Sequence, residues 1–435
     1  MCARCLYDTS IPEIQFDVQG VCNFCKIHDE MEKMYPLDEE GRKQLERIVE
    51  KIKRAGRGKE YDCVVGVSGG RDSTYTMYKA VKLGLRPLAV HFDNGWNSEV
   101  AVSNIQKTIA PYNIDLVTVV ADWEEFKDLQ IAFLKASTSD AEIPTDVAIH
   151  AALHDVAAKE NIKYILIGHS FRTEGIVPRT WTYMDGRYIN AVHKRFGRLK
   201  RTSFPNITIS SLFYYHILKG IRVIPILNYF PYDKQKAGKE LEAELGWVDY
   251  GGHHHESIYT VFFQSYLLPR KFRIDKRRLA LSARVRSGQM TREEALKEIA
   301  DKPYPLDMDV VDYTIKKLGL SREGVEATIT GFLIETSGVV EEEKAEIRIA
   351  LDMVKASAEG KNVTVEGLGV QVKGAPSGAG RYQANIDADI KALTAAEAAT
   401  GRVASLGGLK LSLGASPLDP AMEWLAPVMA KMKLE

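Results

Sequence analysis

The sequence predicts an α/β protein built on a doubly wound, mostly parallel sheet, with a cysteine-bearing N-terminal segment and a small C-terminal α+β appendage. Three observations carry this expectation. Short apolar runs alternate with amphipathic stretches between Tyr61 and Gly168, four of the five cysteines fall within the first 25 residues, and the composition changes beyond about Gly331. Strands that alternate with helices form a parallel sheet buried on both faces.

The elements follow in order. A polar, helix-forming stretch runs from Asp38 to Lys59, and Tyr61–Val67 reads as a buried strand. Asp72–Leu83 reads as a helix, with Gly84 just past its end as a C-terminal stop. Arg86–Phe92 is a second strand and Ser98–Ala110 a helix stopped by Pro111. Ile114–Val120 is a third strand, followed by a helix over Asp122–Ala136 with Asp122 as N-cap. A helix over Thr145–Lys159 precedes a strand at Lys163–Gly168. From about Arg172 to Lys302 the pattern is less regular, with many aromatic and basic residues. The tail beyond Gly331 is rich in Ala, Gly, Val and Glu, with strand-like Asn362–Lys373 and helix-like Asp387–Thr400.

At 435 residues the chain is long enough for two or three domains. Lys plus Arg equals Asp plus Glu at 58 each, so bulk electrostatics do not mark a nucleic-acid binder. No apolar run approaches bilayer-spanning length, and Met1-Cys2-Ala3-Arg4-Cys5 has no apolar signal region; the expectation is a cytoplasmic protein without a membrane partner.

Ser68-Gly69-Gly70-Arg71-Asp72-Ser73 directly follows an apolar strand and opens a helix. Glycines there let the backbone approach phosphate oxygens, and the N–H groups at the helix start point at the anion. Ser68 and Ser73 add hydroxyl donors, and Asp72 offers oxygen to Mg²⁺. The loop lacks the Gly-Lys-[Ser/Thr] ending of a Walker P-loop, which disfavours a kinase or GTPase. The second strand ends at His91-Phe92-Asp93-Asn94 and the fourth at Gly168-His169, followed by Thr173-Glu174. Ligands of parallel sheets bind beyond the carboxyl ends of the strands, so these residues are expected beside the nucleotide, with Glu174 as a second Mg²⁺ carboxylate.

Cys2-x-x-Cys5 and Cys22-x-x-Cys25 have the spacing of a zinc ribbon. Two such knuckles complete a closed, structural Zn(Cys)₄ shell, worth on the order of 10 kcal/mol to a segment with little core. An iron–sulfur cluster is the competing occupant. Cys2 as the N-terminal nucleophile of a glutaminase would need a whole domain before the loop, and only about sixty residues stand there. Cys63, inside the first strand, reads as a packed core residue.

The loop resembles the Ser-Gly-Gly-x-Asp-Ser loop of the ATP-pyrophosphatase (PP-loop) superfamily. That resemblance implies an adenine nucleotide alpha hydrolase-like fold, cleavage of ATP between the α and β phosphates, and transfer of AMP to a substrate oxygen. It also implies that His91, Phe92, Asp93 and Asn94 cradle adenine and ribose. Three further stretches resemble the N-acetyl sugar amidotransferase family. They are the run Gly168 to Arg179 continued by Trp181–Tyr188, Tyr250-Gly251-Gly252-His253-His254-His255-Glu256-Ser257, and Phe272-Arg273-Ile274-Asp275-Lys276-Arg277-Arg278. The likeness spans roughly residues 1 to 330, although the family has Lys where this chain has His253.

This resemblance implies an enzyme of bacterial surface-polysaccharide (lipopolysaccharide) or nonulosonic-acid pathways. It would adenylate the acetamido oxygen of a nucleotide-activated sugar and replace it with ammonia from a separate glutaminase subunit. Arg71 and Lys234 are then expected to offset the charge developing on pyrophosphate. Arg172, Arg179, Lys194 and Arg195 are candidates for the sugar's diphosphate or carboxylate, with a solvated basic face as the equal alternative. His255 and Glu256 fall on a substrate-pocket loop, since adjacent histidines cannot all converge on one metal. Phe213-Tyr214-Tyr215 reads as helix packing. The expected domains are a zinc ribbon at 1–35, the ATP-binding domain at 36–200, a substrate-binding helical region at 201–330 and a C-terminal domain at 331–435. The alternative is a tRNA-thiolating PP-loop enzyme with a structural zinc ribbon. Such chemistry uses further cysteines near the ATP site, and only Cys63 is left over.

Overall fold

The computed structural model describes residues 1–178, 181, 184–250, 256–302 and 306–330, with the backbone of 363–365 and 370–372. The chain divides into two compact units, Met1–Ile334 and Glu335–Glu435.

In the first unit, α1 (Asn23–Met34) and α2 (Glu39–Ala55) precede the sheet domain. Asp38 starts α2 by accepting from the Glu40 and Gly41 N–H groups. The βα alternation then runs β1 (Cys63–Gly66), α3 (Arg71–Lys82), β2 (Pro87–Asp93), α4 (Glu99–Ile109), β3 (Leu116–Val120), α5 (Trp123–Lys135), α6 (Ile143–Lys159) and β4 (Tyr164–Ile167). Gly84, at φ +72°, ends α3 as expected, and Asp122 caps α5 by accepting from the Glu125 N–H. Pro144 sits in the first turn of α6, so that helix begins ahead of Thr145. Pro111 lies inside a 3₁₀ turn, Ala110–Tyr112, that prolongs α4.

The less regular stretch holds α7 (Gly186–Phe196), α8 (Ile209–Phe213), β5 (Arg222–Pro225), α9 (Lys234–Leu245), α10 (Ile258–Val261), α11 (Arg277–Arg286), α12 (Arg292–Asp301), α13 (Met308–Leu318) and α14 (Arg322–Thr330). Strand β5 was not expected there. Of the aromatic run Phe213-Tyr214-Tyr215 that begins at the last residue of α8, only Tyr215 is buried; Phe213 and Tyr214 are exposed, so packing accounts for one ring of the three.

The five strands are parallel in the order β3-β2-β1-β4-β5. Alternation along β1 sends Cys63, Val65 and Val67 toward α2, α3, α4 and α9, and Val64 toward α6. Both faces are therefore covered. Cys63 is fully buried, and burial pushes its thiol up, as a core role requires. The second unit contributes two antiparallel strands to the description, β6 (Val363–Val365) and β7 (Val370–Val372); the helix-like Asp387–Thr400 lies outside the described residues.

Candidate active site

In the strand order, the chain adds strands outward to one side of β1 (β2, β3) and then to the other (β4, β5), so the topological switch lies between β1 and β4. Crevices at such switch points, beyond the carboxyl ends of the strands, are where open α/β sheets bind ligands. Ser68–Ser73 leaves β1 at this point and Gly168–Glu174 leaves β4. The two loops touch. A Cβ on Gly168 would lie 2.8 Å from the Asp72 carbonyl, so glycine is what lets β4 pass the first turn of α3.

Backbone and side chains shape the first loop together. Gly69 has φ +76°, and a Cβ there would meet the Ala101 carbonyl oxygen at 2.1 Å. Its own carbonyl accepts from Trp247 Nε1 (3.1 Å) and Asn104 Nδ2 (3.3 Å). Ser68 Oγ and Ser73 Oγ are 3.1 Å apart, and Gly70 N–H donates to Ser68 Oγ (3.2 Å). Helix α3 starts at Gly70 without a side-chain cap, so its first turn is open to an anion. The Tyr250 hydroxyl accepts from Arg71 N–H at 3.1 Å. The carboxylate of Glu256 comes to Gly70, where an added Cβ would be 3.0 Å from Oε1.

Asp72 and Glu174 meet within hydrogen-bonding reach. Lys234 Nζ, at the start of α9, is 3.0 Å from Asp72 Oδ2, and the Tyr232 hydroxyl donates to Oδ1. Burial pushes the Asp72 carboxyl up; Lys234 pulls it back, and the charge of Glu174 adds to the rise. Burial also acts on Glu174, but His169 Nδ1 at 2.5 Å and Lys234 hold it well below the usual carboxylate range. Burial and the neighbouring Asp72 hold the Tyr232 hydroxyl protonated, well above its ordinary value. Two crowded carboxylates with oxygen ligands on offer fit a hard divalent cation such as Mg²⁺.

Several other expected residues are engaged within the protein itself. Arg71 pairs with Asp249 (2.6 Å) over the Trp247 ring (5.4 Å), and its charge still reaches the Tyr232 hydroxyl beside Asp72. Phe92 is buried against Phe126 in the core between sheet and helices. His91 is buried, its Nδ1 on the Val67 carbonyl (2.8 Å) and its Nε2 accepting from Asn97 Nδ2 (3.0 Å). Asn94 is buried and accepts from Trp96 N–H (3.1 Å). Of these four, Asp93 alone is partly exposed at the end of β2. Thr173 is fully buried in the turn after β4. Arg172 is buried too, its guanidinium held by Glu32 (2.5 Å) and by backbone carbonyls, which removes it from substrate recognition. Lys194 is exposed on α7, and Arg195 lies over Phe196 at 5.6 Å. Arg179 and His255, with His253 and His254, lie outside the described residues. Tyr232, Trp247 and Asn104 were missed, and Tyr250 was quoted only as the start of a family-like run without a role; Tyr232 stands two positions before Lys234, which had been singled out.

The four N-terminal cysteines converge. Their sulfurs all lie within 4.8 Å of one another. Cys2–Cys25, Cys5–Cys22 and Cys22–Cys25 are separated by 3.8, 3.7 and 3.6 Å. A tetrahedron with Zn–S bonds of about 2.3 Å has edges of about 3.8 Å, so the cage fits a structural zinc ion. Tyr7, Ile11, Phe24 and Leu279 pack around it.

A doubly wound α/β domain with an open glycine-rich loop at its switch point is thus one class, and a four-cysteine centre is attached to it. Residues 256–337 match the family model of the LPS biosynthesis protein WbpG-like, C-terminal domain. Among solved structures the chain is similar to NMN synthetase from Francisella tularensis at 15% identity, over 52% of this chain and 93% of that one, TM-score 0.24. It is similar also to NAD+ synthetase from Burkholderia pseudomallei at 15% identity, over 51% and 95%, TM-score 0.24. Likeness at that level carries no function across, and the fold rests on the strand order itself. No curated protein matches the chain. No described helix is long and apolar enough to cross a membrane.

Proposed function

We propose that this protein is an ATP-dependent amidotransferase that converts the acetamido group of a nucleotide-activated sugar into an acetamidino group. The observation that carries the reading is the meeting of Asp72 and Glu174 beside Lys234 at the open start of α3. In this reading Ser68, Gly69, Gly70 and Ser73 receive the phosphates, and the two carboxylates hold Mg²⁺ on them. Lys234 offsets charge on the leaving pyrophosphate. The acetamido oxygen attacks the α-phosphorus and pyrophosphate departs. Ammonia then adds to the imidate carbon and loses a proton as AMP leaves, so oxygen is exchanged for NH. An amide oxygen is a poor leaving group, and adenylation is what makes its displacement possible. Gly168, His169 and Asp93 border the nucleotide, and Glu256, brought to Gly70, borders the acceptor.

The match of residues 256–337 to the WbpG-like domain supports a sugar acceptor in lipopolysaccharide synthesis. The four cysteines fit structural zinc, and a separate glutaminase supplies the ammonia. The test is incubation with ATP, Mg²⁺, ammonia and UDP- or CMP-linked acetamido sugars. AMP release together with a product that has lost one oxygen and gained NH supports the reading. AMP formation with tRNA and with none of the sugars would overturn it.

A further inference from the structure

The turn that carries Glu174 is held from outside the sheet. Arg172, two residues earlier, donates to Glu32 on α1 (Nε to Oε1, 2.9 Å), to the Asn228 carbonyl (2.7 Å) and to the Tyr35 carbonyl (2.6 Å). Its own carbonyl accepts from Ser287 Oγ at 3.1 Å. On the other side, a Cβ on Gly175 would lie 2.8 Å from the Leu279 carbonyl of α11, and the Ile176 carbonyl accepts from the Tyr7 hydroxyl (2.9 Å). Tyr232, the donor to Asp72, has its carbonyl tied to Gln289 Nε2 (2.9 Å). Most of these anchors belong to two pieces, the cysteine segment with α1, and α11 with the turn after it.

Arg286, the last residue of α11, joins the two. Its guanidinium is buried, 4.2 Å above the Tyr7 ring, and donates to Cys5 Sγ (3.2 Å) and Cys25 Sγ (3.4 Å). Four thiolates around Zn²⁺ carry a net double negative charge, which a buried cation with two sulfur-directed donors offsets.

We propose that Arg286 is an outer partner of the metal centre, and that the metal-loaded knuckles and α11 together position Glu174 and Tyr232. Metal loss would then be felt at the nucleotide. The second half rests on the reading of Asp72 and Glu174 as the Mg²⁺-nucleotide site. Arg172 and Arg286 are positioning residues in this scheme.

The test uses the full chain, zinc-loaded or cobalt(II)-substituted. For Arg286→Met we expect a shifted thiolate-to-cobalt absorption band and zinc released to a chelator about 10-fold more readily or more. Mg·ATP affinity, measured by calorimetry, should fall with the zinc and return at saturating zinc, with Arg286→Lys intermediate. An unchanged cobalt spectrum and zinc release in Arg286→Met would overturn the outer-partner role. Zinc-stripped wild type that keeps its circular dichroism and its Mg·ATP affinity would overturn the coupling. Should Arg286→Met fail to fold, Arg172→Met, which touches no sulfur, reads the same coupling; it should weaken Mg·ATP with the cobalt spectrum unchanged, and unaltered affinity would refute it. Zinc-loaded wild type that binds no Mg·ATP sinks the functional reading instead, and the cobalt spectrum then judges Arg286 alone.

Discussion

Asp72 is clasped at both oxygens, by Lys234 at one and by Tyr232 at the other, while Glu174 crowds it from the next loop. Replacing Tyr232 by Phe keeps the ring in the α3–α9 core, 5.3 Å from Tyr75, and removes only the donor. A hydrogen bond to a charged group contributes about 1.5–3 kcal/mol, so AMP formation should fall about 10- to 100-fold, with more Mg²⁺ needed for half-saturation. Titrating activity against Mg²⁺ checks this. His169 makes a pH prediction. Burial lowers it, but Glu174 outweighs burial, and its folded value lies above the ordinary one of about 6.5. A raised value means that the stabilisation is complete below about pH 6.5 and is lost as pH rises through the folded value. His169 is half-exposed, so the effect is about 1 kcal/mol or less. Melting curves of wild type and His169→Gln should converge as the pH is raised above that window; a constant gap would contradict the assignment.

Elements with strong periodicity were legible in the sequence, and so was the loop between them. Strands β1 to β4 fall inside the expected runs except for one residue at the end of β2, because buried parallel strands are continuous apolar stretches. Strand β5 escaped because it has four residues, starts on Arg222 and ends on Pro225, and takes its strand character from pairing with β4. The β2 exit misled for a different reason. Position after a strand places residues near the crevice, but alternation turned Phe92 into the core and hydrogen bonds drew His91 inward, neither visible without neighbours. Two glycines with similar backbones separate loop geometry from packing. Gly69 and Gly58 have φ +76° and +75°, yet a Cβ strikes the Ala101 carbonyl oxygen at the first and meets nothing within 4 Å at the second. Gly58→Ala should cost only the left-handed conformation, about 1–2 kcal/mol, with AMP formation unchanged. Gly69→Ala should cost more and abolish AMP formation, because α4 and the loop must separate. Denaturant midpoints and AMP assays on the pair decide it, and equal effects would refute the close-approach argument.

At the scale of the molecule, the candidate site and the cysteine centre both lie in the first compact unit. The sheet, the carboxylate pair, the four cysteines and α11 all lie within Met1–Ile334, and the segment matching the WbpG-like domain ends at 337. Among the described residues, the contacts that hold Glu174 and Tyr232 run to residues 7, 32, 35, 228, 279, 287 and 289, all of them within the first unit. A chain ending at residue 337 is therefore expected to keep a cooperative melting transition, one bound zinc per chain, and AMP formation within about threefold of the full chain. Calorimetry, zinc analysis and the AMP assay on the two proteins check it. Retained zinc and melting with lost AMP formation would move part of the catalytic or acceptor machinery into residues 338–435. Loss of all three would make those residues a folding requirement of the first unit.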